Sequence, residues 1–131
     1  MATLEEARSV VELMVLTAWA DGTVQGVEAL TVHKLVAANP DLKQVGSTAE
    51  LSKRAKERLD EIGLEDALRE CALRLDDPAL REMAFQHCVR VMGADSQLDS
   101  EEMLVLGTLQ ECFGYSNEDV KRLLVLASRQ V

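Results

Sequence analysis

Two eleven-residue stretches, ADGTVQGVEAL at 20–30 and ADSQLDSEEML at 94–104, come into register when the chain is slid by 74 positions. Ala20 falls on Ala94, Asp21 on Asp95, Val24 on Leu98, Glu28 on Glu102 and Leu30 on Leu104. The register extends upstream, where Val15 falls on Val89, and downstream, where Leu35 falls on Leu109. A chain that carries one unit twice must fold so that the unit packs twice. On both sides of each Asp, apolar residues recur at the three- and four-residue spacing of one helix face, and no sustained period-two alternation marks a strand. The unit reads as helix–loop–helix, and the expected fold is all-α.

Punctuation residues set the expected boundaries. Thr3 with Glu6 forms a capping box that opens a first helix over about residues 4 to 20. Its Val10, Val11, Met14, Val15, Ala18 and Trp19 cover most sides of the cylinder, which makes it the expected central helix with Trp19 plugging the core. A second helix over 26–38 is stopped by Asn39-Pro40, because the residue before proline avoids the helical region. After a polar linker, Ser47 with Glu50 is a second capping box, and that helix ends near Ile62 with Gly63 as a left-handed cap. A fourth helix covers about 64–75. Asp77-Pro78 supplies an N-cap and a proline at the first helical position of a fifth, ending near Met92. The sixth begins after Asp99 and ends at Gly114, and the seventh is capped by Ser116 with Asp119 and runs to about Arg129. The expectation is a compact bundle of about seven helices, containing two related helix–loop–helix units, in one domain over residues 1–131. With 47% hydrophobic residues, such a chain can bury a core without staples.

Charge and cysteine usage exclude several functions. A net charge of −9 repels polyphosphate, and no basic cluster is interleaved with Trp19, Phe85, Phe113 and Tyr115, so nucleic acid is not an expected partner. The start MATLEEARS lacks the basic region of a signal peptide. The longest apolar run, VVELMVLTAWA, contains Glu12 and is too short to span a bilayer, so a cytoplasmic protein with no membrane insertion is expected. Cys71, Cys88 and Cys112 are odd in number, far apart and without a CxxC pair, and read as buried reduced thiols. His87 and Cys88 are adjacent and would project about 100° apart on a helix, which rules out a dyad. His33 reads as a histidine hydrogen-bonded at the core edge. No other arrangement suggests catalysis, so a non-enzymatic role is expected.

Carboxylates are concentrated locally: seven fall between Asp95 and Asp119 before the first Lys or Arg, Lys121, whereas 43–58 carries five cations. Asp21 and Asp95 each follow the end of an apolar helix, where exposed carbonyls disfavour a carboxylate by up to about 1 kcal/mol. Either the next helix's amides or a cation must offset that cost. DGTVQGVE reproduces the second half of an EF-hand loop, an Asp, a turn Gly, a β-branched aliphatic and a closing Glu. The first half is missing, since Thr17 and Trp19 in one unit, and Val91 and Gly93 in the other, stand where earlier acidic ligands would be. Candidate ligands for a hard divalent cation, Ca²⁺ or Mg²⁺, are therefore Asp21, Glu28, Asp95, Asp99 and Glu102. A capping reading competes: Asp99 with Glu102 makes a capping box, with Leu98 and Met103 as its staple, and requires no ligand.

Two ADG-type turns, each followed by an aliphatic and then Glu, joining apolar helices in a small acidic chain, resemble the TerB-like family of tellurite resistance, from about Val10 to the end. That resemblance implies a seven-helix domain with an acidic, metal-binding surface. It also implies a role in cytoplasmic responses to chemical stress and toxic oxyanions, membrane-associated protein partners, and no catalytic activity. Carried over by position, the site falls on Asp21 and Glu28, and on Asp95 and Glu102. Gln25, Gly26 and Ser96 depart from the family pattern. The competing expectation is a protein-interaction module whose acidic face binds a basic partner without metal.

Overall fold

A computed structural model describes residues 2–22, 24, 26–93 and 99–129. Among these residues there are eight helices and no strand: α1 (Leu4–Ala18), α2 (Gly26–Ala38), α3 (Pro40–Lys43), α4 (Thr48–Ile62), α5 (Leu64–Ala72), α6 (Pro78–Met92), α7 (Ser100–Phe113) and α8 (Asn117–Arg129). The helix beyond the expected seven is α3, in the stretch read as a polar linker. Its single turn forms because the Asn39 side chain accepts the Asp41 amide at 2.9 Å and Pro40 needs no amide partner at the first position. Fully buried Leu42 anchors it.

α1 lies at the centre, packed against α2, α3, α4, α5 and α6, and ten of its residues are buried. α6 is the second axis and contacts α1, α2, α7 and α8. Between them sit Val10, Val11, Met14, Phe85, Cys88 and Val91, all inaccessible to solvent. Tyr115 meets Phe85 and Phe113 edge-on, with ring centroids 5.4 and 5.6 Å apart.

The doubling predicted by the 74-residue register holds at the helix ends. Shifted by that interval, α1 coincides with α6 at both termini, and α2 coincides with α7 to within one residue. Caps fix the starts of α1, α6 and α7. Thr3 with Glu6, and Asp99 with Glu102, close reciprocal boxes, as do Ser116 and Asp119, and Asp77 accepts the Ala79 amide at 2.8 Å.

Several local expectations are corrected. α1 stops at Ala18 and α5 at Ala72, each followed by turn hydrogen bonds from Ala20, Arg74 and Leu75. Ser47 accepts the Glu50 amide at 3.4 Å, which is half of the expected box. Gly63 has a positive φ of 86° but ψ of 165°, an extended mirror-image conformation rather than a left-handed cap, and it lets α5 follow α4 at once. Trp19 is half-buried rather than a plug: its indole N–H donates to Ser52 at 2.9 Å, and Lys56 lies over the ring. His33 is exposed, on the outer side of α2, and Cys112 is only half-buried while Cys71 and Cys88 are buried.

Candidate acidic site

Two apolar helices, α1 and α6, end, and α2 and α7 each carry a Glu as their third residue. In the first unit, Gly22 adopts φ +93°, as the Asp-Gly pair suggested, and its amide donates to the Trp19 carbonyl at 2.8 Å. Asp21, beside it, is exposed. Glu28 sits in the first turn of α2 and is only 6% exposed. In the second unit Asp99 is exposed and caps α7, accepting the Glu102 amide through Oδ1 at 2.8 Å. Glu102 Oε1 accepts the Asp99 amide at 3.0 Å in return, and its side chain is 5% exposed. Asp95, Ser96 and Leu98 lie outside the described residues, so neither the second Asp nor the proposed staple is placed.

The capping reading of Asp99 and Glu102 is therefore observed. It does not account for the whole pattern. Of the described Asp and Glu residues only Glu28 and Glu102 are buried, and they occupy the same position of the two repeats. Burying an ionised carboxylate is costly unless it is hydrogen-bonded or paired. A helix N-terminus meets part of that need through its free amides and positive end. Each Glu is thus held where negative charge is most tolerable. Among the described residues no three His, Cys, Asp or Glu side chains gather closely enough to hold a metal ion.

The electrostatic surroundings include a pair that sequence reasoning missed. His87 and Arg90 lie on the last turns of α6, leading into the second acidic bend. Arg90 Nη1 is 3.0 Å from His87 Nδ1, and because a guanidinium only donates, the neutral imidazole accepts there and carries its proton on Nε2. Burial, and then the Arg90 charge, push the His87 pKa down to about 4. The i, i+3 spacing of His87 and Arg90 was the available signal. Cys88 is buried on a different face, and burial pushes its thiol up to about 12, which makes it inert.

A second charged region lies between α1, α4 and α5, around a groove of about 210 Å³ lined by Glu12, Arg54, Arg58, Glu70, Cys71 and Arg74 among others. Arg58 bonds Glu61 through Nη1 at 2.9 Å and grips Glu70 through Nε and Nη2, while Arg74 bridges Glu70 and Glu12 at 3.2 Å each. The Arg58 hydrogen bond, foremost, holds the Glu70 carboxyl below its usual range. Two cations of the basic segment, Arg58 and Lys56, are thus spent on neighbouring acids, Lys56 bonding Asp60 at 2.6 Å. This cluster ties three helices together and offers no charge of one sign.

No helix among the described residues is long and apolar enough to cross a membrane. Comparison with curated proteins and with solved structures finds no match. A family model described as tellurite resistance protein TerB matches residues 5–125, which includes both helix–loop–helix units and the α3–α5 segment between them. With that match spanning nearly the whole sequence, over an all-helical bundle with duplicated acidic turns, the chain belongs to the TerB family.

Proposed function

We propose that this chain is a non-enzymatic TerB-type domain of the cytoplasmic response to chemical stress, tellurite among the candidates, and that its two acidic turns together hold a divalent cation, Ca²⁺ or Mg²⁺. The observation that carries this reading is the burial of Glu28 and Glu102 at matching positions of the two repeats. All the candidate donors, Asp21, Glu28, Asp95, Asp99 and Glu102, are carboxylates, the chemistry of a hard, oxygen-coordinated cation. The cap bond to Asp99 uses its Oδ1. A bound ion would add positive charge to these acidic turns. Its role here is to make the turns rigid and so present a defined surface to a protein partner, membrane-associated ones included.

Calorimetric titration of the metal-stripped protein with calcium and with magnesium tests this, alongside melting at constant ionic strength. Binding raises the melting temperature, by an increment that corresponds to about 2.7 kcal/mol at a hundredfold excess over Kd. Asp21→Asn combined with Asp95→Asn abolishes the increment and leaves the apo fold intact. A shift no larger than that from added sodium refutes the cation reading and leaves the alternative, an acidic face for a basic protein partner. Exposed Met103 and Leu104, next to Glu101 on α7, favour that second reading, because they add apolar contact to the charge.

A further inference from the structure

Three helices meet beside the first acidic turn through short side chains. Val15 and Ala18 of α1, Val24 of the turn, Ala29 and Val32 of α2, and Thr48, Ala49 and Ser52 of α4 line a cavity of about 240 Å³. No side chain in this described lining is larger than valine. Protein interiors otherwise pack to crystal density, and side chains this short do not bridge the gap. Val15, Ala18 and Val32 are buried and make the floor, whereas Ala29 and Ala49 are exposed and flank the mouth.

Size and chemistry select the occupant. The described lining holds no charged side chain, in a chain of which 28% is charged, so an ion would give up its water there and meet no counter-charge. Polar capacity is confined to two hydroxyls of α4, on Thr48 and Ser52. Ser52 Oγ accepts the Trp19 indole N–H at 2.9 Å, and among the described residues neither hydroxyl donates a hydrogen bond. Each offers its proton, so a matching ligand carries an acceptor. An apolar cavity of about 150 Å³ holds benzene, and the larger volume here takes one ring with a substituent.

We propose that the α1–α2–α4 cavity binds a compact, neutral aromatic molecule bearing one oxygen, with its ring among Val15, Ala18, Ala29 and Val32 and its oxygen toward the Ser52 and Thr48 hydroxyls. No carboxylate of the acidic turns belongs to the described lining, so the site is independent of a bound cation.

The probe is phenol, which is neutral at pH 7, titrated into the full chain without divalent metal and followed by methyl and amide chemical shifts. The side-chain N–H of Trp19, the single tryptophan, reports directly on Ser52. Saturable shifts are expected at Ala18, Val32, Ala49 and the Trp19 indole, with a Kd of about 1 mM for a ligand of about seven heavy atoms. Ala29→Leu and Ala49→Leu fill the mouth and abolish saturation. Both positions are exposed, so a native melting curve shows that the loss is local. Ser52→Ala weakens phenol about fivefold and leaves toluene unchanged, since only phenol uses the hydroxyl. The proposal is overturned if phenol produces no saturable shift, or if either leucine variant binds it as tightly as the wild type. Benzoate binding as tightly as phenol overturns it as well, because the site would then accept charge. So does a Ser52→Ala variant that treats phenol and toluene alike, since the hydroxyl would then select nothing.

Discussion

The two helix–loop–helix units share their boundaries and differ in what surrounds them. α1 buries ten residues and is wrapped by five helices, whereas its counterpart α6 buries seven and keeps one side toward α8. The second helices diverge the other way. α7 is covered by α5 and buries five residues, while α2, flanked by α1, α3 and α6, buries three and leaves Val27 and Leu30 outside. Duplication thus preserved the helix boundaries and the buried Glu, and released the parts that depend on neighbours. The acidic turn sequence is common to both units, and each second helix keeps exposed apolar residues, Val27 and Leu30 on α2 and Met103 and Leu104 on α7.

Core positions test how unequal the units have become. Val11 and Phe85 are equivalent in the register and both fully buried. Phe85→Ala removes a ring that Tyr115 packs against and is expected to cost about 3–5 kcal/mol in urea denaturation, with Val11→Ala clearly less. Equal losses at the two positions would break the view that α6 anchors the aromatic side of the core.

The next comparison is Leu13 with His87, again one register position. The His87 pKa is lowered to about 4 by burial and then by Arg90, so the unfolded chain binds a proton between about pH 6.5 and pH 4 that the folded chain refuses. Stability is therefore full above pH 6.5 and falls as pH drops through that window, by up to about 3 kcal/mol. His87→Gln keeps an acceptor for Arg90 and flattens the slope in that window, leaving the carboxylate titrations below pH 4.5. An unchanged slope would mean that His87 is solvated in solution.

Asp99→Ala comes third, at about 1 kcal/mol, because it strips the N-cap of α7 without touching the core. Thr3→Ala, at another complete box, should match it within error, and a much larger loss at Asp99 would show that this residue does more than cap.

These positions also show what was legible from sequence. Caps and breakers are written in two or three adjacent residues, which is why Thr3, Asp77-Pro78, Asp99 and Ser116 gave correct helix starts. The 74-residue register was legible for the same reason. α3 was not, since four residues are too few to show a period. Exposure of Trp19 and His33 was misjudged because it depends on which helix lies alongside, and Arg58–Glu70, Arg74–Glu12 and Arg69–Glu111 join residues twelve or more apart. Of the site, the sequence named the two Glu residues that prove buried. It could not say that their burial sets them apart from the other described acids, because burial is a tertiary property.

The smallest effect separates capping from coordination most cleanly. Glutamine can close a capping box, so in the absence of divalent ions Glu28→Gln and Glu102→Gln keep a side-chain oxygen at the helix N-terminus, and the charge lost there costs about 0.5 kcal/mol each. With calcium present, a shared site makes the two variants equivalent, and either one removes the thermal increment that the wild type gains. If capping is the whole role, calcium shifts neither variant nor wild type, and the small losses simply add, as they do for distant sites. If only Glu28→Gln abolishes the calcium effect, the ion belongs to the first unit, and the duplicated turn at Asp99 and Glu102 is a cap that kept its residues after the ligand function had gone.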